Sequence, residues 1–165
     1  MRRLIFLTCL VAAVTTGDVP RPARAGDLPA TATTLDLLRA AAAGDQVLLA
    51  QLLLAGADPN VVGTDWRGGL HHAVLLGRLD MATVLVRAGA RVDWQDADKV
   101  TPLILAAHGN YPEIAEYLIL AGADPLIADR WGRRALDYAL MRGKNDPIAR
   151  MLRRAEINRP THKNK

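Results

Sequence analysis

The side chains able to do chemistry are few. Cys9 is the only cysteine in 165 residues, serine is absent, and there are four histidines. A chain without Cys9 would have no disulfide, no thiolate zinc site and neither a Ser nor a Cys nucleophile. His72 and His108 are the pair best placed to share a metal ion. A metal site needs at least a third ligand, and no acidic residue has an evident position beside them. Asp58, Asp93, Asp96, Asp98, Asp124 and Asp129 fall in turn-like segments. There, Asp accepts local backbone N–H groups, which accounts for them without acid–base catalysis. The glycines follow apolar segments and close helices; they do not form a phosphate-cradling loop. These residues point to no catalytic group, no metal and no cofactor. What remains is binding chemistry: Trp66, Trp94 and Trp131 in polar segments, and a basic C-terminal stretch. Tryptophan and arginine are the residues that most often anchor interfaces.

Charge is distributed unevenly. The whole chain carries +4. Residues 26–129 hold 6 basic and 13 acidic residues, net −7, whereas residues 130–165 hold 11 basic and 3 acidic, net +8. The protein is expected to be an electrical dipole with a basic C-terminal end. Arg133, Arg134, Arg153 and Arg154 are the candidates there for contact with an acidic protein or, weakly, with anionic lipid head groups. Residues 158–165 form a polar, basic tail containing Pro160, a composition that favours disorder.

The first 25 residues read as a secretory signal. Met1-Arg2-Arg3 is a basic start, and Leu4 to Val14 is an uncharged run shorter than the roughly 20 residues of a spanning helix. Ala23-Arg24-Ala25 offers small residues for cleavage after Ala25; Gly17 and Ala30 are alternative ends, and an uncleaved anchor is the other reading. Residues 26–33 are then a linker. The Ala-rich, Arg-over-Lys composition suits a bacterial protein, so the expected location is periplasmic or secreted. An exported protein rarely meets nucleic acid, and none is expected as a partner.

The elements that position these residues follow from internal repetition, which is sought first. Gly56-Ala57-Asp58 recurs as Gly89-Ala90-Arg91 and Gly122-Ala123-Asp124, each step 33 residues. Leu37, Leu70, Leu103 and Leu136 keep the same step, as do Ala40, Ala73, Ala106 and Ala139, and Gly44, Gly77, Asn110 and Gly143. Each period reads as helix, turn, helix, loop. In the third, Thr101-Pro102 opens a short helix, Gly109-Asn110 breaks it, Glu113 to Leu120 forms a second, and Gly122 ends that one. The 4% aromatic content agrees with helices packed through Ala and Leu rather than with a β-sandwich.

These residues resemble the ankyrin repeat. Asp96, Thr101-Pro102-Leu103, Ala106-Ala107 and Gly122-Ala123-Asp124 match its pattern, as do Leu70-His71, Gly77 and Gly56-Ala57-Asp58-Pro59-Asn60. The resemblance implies an all-α solenoid of about four helix-turn-helix repeats over residues 34–157: 34–63, 64–96, 97–129 and 130–157, the first and last as caps. Gly68-Gly69 and Arg134-Ala135 replace Thr-Pro, and Lys99 stands where Gly is usual, which puts the turn at 66–69 in question. His71 stands at the family's histidine, whose ring commonly bonds the neighbouring turn.

The resemblance also implies a non-catalytic protein-binding module. Trp66 and Trp131 fall near loop tips; Trp94 aligns with Val61 and Ile127 and is expected to be half-packed. Arg39, His72, Leu105 and Tyr138 share one offset of the repeat, and Ala42, Leu75, His108 and Met141 another. Together these residues line the face that the family uses for recognition. The candidate contact set is therefore Trp66, Trp131, His72, Leu105, Tyr138, His108 and Arg39, acting from a monomer on a partner protein. An immunity or inhibitor protein against a toxic enzyme, and a secreted host-directed effector, are the alternatives.

Overall fold

The computed structural model describes residues 34–157. The signal, linker and tail expected at 1–33 and 158–165 lie outside the described residues. Within them are eight helices: α1 Thr34–Ala43, α2 Gln46–Leu54, α3 Gly69–Leu75, α4 Leu79–Arg87, α5 Pro102–Gly109, α6 Pro112–Leu120, α7 Ala135–Leu140 and α8 Pro147–Ile157. They pair as the 33-residue period predicts. The inner helices α1, α3, α5 and α7 pack side by side, and α2, α4, α6 and α8 form an outer layer behind them. No helix here exceeds 11 residues, and isolated helices of that length are unstable in water. Stacking must therefore supply the stability.

The core is the repeat written out in side chains. Ala40, Ala73, Ala106 and Ala139 are all buried, and so are Leu37, Leu70, Leu103 and Leu136. Alanine at the first set lets inner helices approach closely, and leucine fills the space between layers. Local signals set the helix ends. Asp45 Oδ1 caps α2 by accepting from Leu48 N–H, and Thr101 Oγ1 caps α5 by accepting from Ile104 N–H. Gly122 ends α6 at φ +95°, with Ala123 N–H donating back to Leu118 carbonyl, and Gly56 and Gly89 repeat this ending. At the fourth register stands Ala155, and α8 runs through it to Ile157.

Between the helix pairs, the chain makes three tight tips with one hydrogen-bond pattern. Gly63 N–H donates to Arg67 carbonyl, Asp96 N–H to Val100, and Asp129 N–H to Arg133. The turn at 66–69 thus forms like its counterparts. There, His71 Nδ1 accepts from the N–H of the N-cap residue Gly68 at 3.4 Å, which ties down the start of α3 from the third helical position, whereas at α5 the N-cap side chain of Thr101 accepts from Ile104 N–H. In the fourth repeat, Asp137 does the same for Arg134 N–H at 2.8 Å.

Candidate binding site

The fourth residue of each tip must adopt a left-handed backbone. Those residues are Trp66 at φ +60°, Lys99 at φ +59° and Gly132 at φ +76°. Glycine takes this conformation freely, and a side chain there costs about 1–2 kcal/mol. Trp66 thus occupies the least suitable place for a bulky residue. It is nevertheless 56% exposed, so core packing does not explain it. Trp94, half-packed as the register predicts, holds it from the next loop: its Nε1–H donates to Trp66 carbonyl, and the two rings stack. The Arg91 guanidinium lies 5.5 Å from the centre of the Trp94 ring.

Trp131 is also 56% exposed, one residue before Gly132. The guanidinium groups of Arg130 and Arg133 each lie 5.1 Å from its ring centroid, close enough for cation–π attraction. Arg133 lies 4.7 Å from the Tyr138 ring as well. Beneath them Asp129 is buried. Its Oδ1 accepts from Trp131 and Arg133 N–H, and its Oδ2 accepts from the Tyr138 hydroxyl at 2.6 Å. Burial would raise the Asp129 pKa, but these hydrogen bonds and the Arg133 charge hold it below the usual carboxylate range. Burial, with the Asp129 bond and charge, pushes the Tyr138 hydroxyl up to about 12.

This arrangement corrects the reading of Tyr138 as an open contact residue. It is 8% exposed and its hydroxyl is committed to Asp129, so it braces the tip from below. The rest of its row is graded. Arg39 is exposed and pairs with Asp36 at 3.3 Å, while His72 and Leu105 are half-buried. Ala42, Leu75, His108 and Met141 are all exposed, so Leu75 and Met141 do face outward from the inner helices. His108 meets Tyr138 edge-on at 5.4 Å. His72 and His108 gain no third ligand: no group of three His, Cys, Asp or Glu able to hold a metal occurs among the described residues. Desolvation lowers the His72 pKa despite nearby Asp65.

His71 is structural in its contacts. It is buried, and Nε2 bonds Val100 carbonyl in the following repeat at 3.1 Å. Its Nδ1 accepts from Gly68, so the neutral Nε2–H form fits both partners.

The basic end divides. Arg134 bonds Glu156 at 3.2 Å and lies near Asp137, and Arg153 donates to Lys144 carbonyl. Arg154 instead lines an open cleft between α6 and α8, of about 550 Å³, with Ile119, Leu120, Met151 and Arg150. The repeat pattern gave no sign of this cleft. Nor did it show that Arg67 Nε would donate at 3.1 Å to the buried Asp96. The register alone does hold one overlooked signal: Trp66 aligns with Gly132.

A stack of capped helix pairs joined by hairpin tips, with aromatic and basic residues at the tips, defines a repeat scaffold for binding. The family model for ankyrin repeats (3 copies) matches residues 37–129 and 70–161, and the chain belongs to the ankyrin-repeat family, whose repeats are protein–protein interaction modules. It is 36% identical over 120 residues to cyclin-dependent kinase 4 inhibitor B of Rattus norvegicus, covering 72% of this chain and 91% of that protein. It is 47% identical over 55 residues to protein phosphatase 1 regulatory subunit 27 of Mus musculus, covering 33% of this chain and 36% of that one. The similarity to putative palmitoyltransferase ZDHHC13 of Danio rerio, 34% over 107 residues, covers 64% of this chain and only 17% of the larger protein.

Proposed function

We propose that this chain is a non-catalytic binding module that engages a partner protein through its loop tips, with the inner-helix face as the second layer. One observation carries the reading: Trp66 is exposed although its backbone is left-handed. Strain that stability does not require is typical of sites kept for function. Trp131 supports it from the third tip, and His72, Leu105, His108 and Arg39 lie on the adjoining inner helices. Relatives that include an inhibitor and a regulatory subunit support a regulatory role. The basic start and apolar run at residues 1–14 support action in a bacterial periplasm or envelope, where an immunity protein against a toxic enzyme is a specific form of the same reading.

The test uses the full chain as bait in an envelope fraction, beside a Trp66→Gly/Trp131→Ala variant. Proteins held by the wild type are quantified by mass spectrometry. At least a tenfold loss, about 1.4 kcal/mol, is expected from a variant that still folds. Equal recovery overturns the tip site. A full-length protein found only in the cytosol overturns the location.

A further inference from the structure

The three tips offer each other a lateral connection. Asp65 carbonyl accepts from Ala97 N–H at 3.0 Å, and Asp98 carbonyl accepts from Arg130 N–H at 2.9 Å. At the first tip a side-chain bond runs alongside, from Arg67 Nε to Asp96 Oδ2. The second tip thus answers the first with two consecutive residues: the carboxylate of Asp96 and the N–H of Ala97.

The third tip repeats both offers. Trp131 stands in the register of Asp65 and Asp98, and among the described residues no N–H reaches its carbonyl. Arg133 stands in the register of Arg67. Its Nε is buried and has no hydrogen-bond acceptor among the described residues. The nearby carboxylate oxygen, Asp129 Oδ2, is 3.6 Å away and already taken by Tyr138. The chain's own residue in the answering register, 29 positions on as Asp96 is from Arg67, is His162, which has no carboxylate. α8 also passes through Ala155, where its counterpart Gly122 turns the chain into a loop.

We propose that the third tip binds an extended acidic segment of a partner protein, centred on an Asp or Glu followed by any residue except proline. The carboxylate accepts from Arg133 and the next residue's N–H donates to Trp131 carbonyl, as Asp96 and Ala97 do at the first tip. The Trp131 and Tyr138 rings flank the Arg133 guanidinium at 5.1 and 4.7 Å and restrict it, which reduces the entropy lost on binding. Charge favours this occupant: residues 130–157 hold eight basic and three acidic residues. Residues 158–165 contain neither Asp nor Glu, so they do not supply the side-chain carboxylate this site calls for. The proposal rests on the binding reading above and adds the chemistry of the bound segment.

The test is selection of displayed random peptides on the immobilised full chain, from three libraries fixed at the centre as Asp-Ala, Asn-Ala or Asp-Pro. Asp-Ala peptides should be recovered about tenfold or more over both others. Arg133→Gln should abolish that preference. Arg67→Gln, whose arginine is already paired, should keep the preference and lower the melting temperature instead. Equal recovery of the three libraries, no recovery, or a preference that survives Arg133→Gln overturns the proposal. The Asp-Pro comparison is made on the wild type, so it decides even if a variant unfolds. Peptides recovered whatever their centre, and lost with Trp66→Gly, would leave the tip-binding reading standing and remove this one. Sedimentation showing self-association lost in Arg133→Gln would make a second copy the occupant, and binding of phosphatidylglycerol vesicles lost in Arg133→Gln would make it a lipid. Either result overturns the partner segment.

Discussion

Trp94 Nε1–H donates to the carbonyl oxygen of Trp66 at 2.9 Å, and the two indole rings lie 6.4 Å apart, 18° from parallel. The bond clamps the one tryptophan whose own backbone is strained. Such stacking is worth about 0.5–1.5 kcal/mol, comparable to the cost of a left-handed non-glycine residue. The clamp therefore roughly offsets the strain and leaves the Trp66 ring presented to solvent.

An inverted ranking follows at this position. Trp66→Ala loses the ring and keeps the strain, whereas Trp66→Gly loses the ring and the strain together. The glycine variant should be the more stable by about 1 kcal/mol, or roughly 3 °C in melting temperature. Thermal melts of the two variants decide it. An alanine variant at least as stable as the glycine one would mean that residue 66 is not left-handed in solution.

Four residue series with one 33-residue step make the helix pairs legible, and the resemblance to the ankyrin repeat supplies how those pairs stack. The chemistry of the tips was less legible. Trp66 is recognisable as a tip residue in the sequence, but its strain shows only when it is aligned with Lys99 and Gly132 at the same register. Tyr138 shares an offset with exposed Arg39, yet it is buried. Its acceptor, Asp129, comes from the preceding loop, and Val100 leaves no arginine in the register where Arg67 fills Asp96 Oδ2. Periodicity describes what repeats share, and these features are departures from it. The α6–α8 cleft is likewise tied to one departure, Ala155 where the other repeats have glycine.

Tyr138→Phe tests the brace beneath Trp131. The ring remains for Arg133 and His108, but buried Asp129 Oδ2 loses its short hydrogen bond. An unpaired buried acceptor costs about 1–3 kcal/mol. The melting temperature should fall accordingly, and Trp131 should become more accessible to a fluorescence quencher. An unchanged midpoint would show that Arg133 or water replaces the hydroxyl.

Gly122→Val tests the helix ending. Apart from Gly122 and its chain neighbours, no atom lies within 4 Å of the position a Cβ would take, so space is not the obstacle. The obstacle is φ +95°, which a β-branched residue resists. A loss on the order of 1 kcal/mol or more is expected, read from the same melts. Ala155 has no such constraint inside α8, so Ala155→Gly should also destabilise, by about 1 kcal/mol at most.

The two adjacent histidines give stability a pH dependence. Burial lowers the His71 pKa below 6.5, more than its bond to Val100 carbonyl and the Asp96 charge raise it, and desolvation lowers that of His72. Each binds a proton more readily in the unfolded chain. Their contribution is complete above pH 6.5 and is lost as the pH falls through the lowered folded-state values. The slope cannot exceed about 1.4 kcal/mol per pH unit for each histidine. Denaturant unfolding at steps between neutral pH and roughly pH 5 should show the decline, and His71→Gln should flatten it. A decline of equal slope in the variant would assign the effect to other groups.

Salt and charge reversal separate the arginines of the basic end. Arg134 already pairs with Glu156, and Arg153 donates to Lys144 carbonyl, so reversing either mainly disturbs contacts within α7, α8 and their connection. Arg133 has an unanswered donor and lies beside Trp131. If binding used the basic end as a diffuse field, each reversal would weaken it by a similar factor, and all three losses would shrink together as salt rises. If the tip is the site, Arg133→Glu alone should reproduce the whole loss seen in an Arg133/Arg134/Arg153 triple reversal. Trp66→Gly with Trp131→Ala should then cost at least about tenfold in affinity, nearly independent of salt. A partner captured by the wild-type chain, titrated against these variants at low and high salt, gives both readouts. A triple reversal much worse than Arg133→Glu, together with normal binding by the tryptophan variant, would move the site from the tips to the charged face.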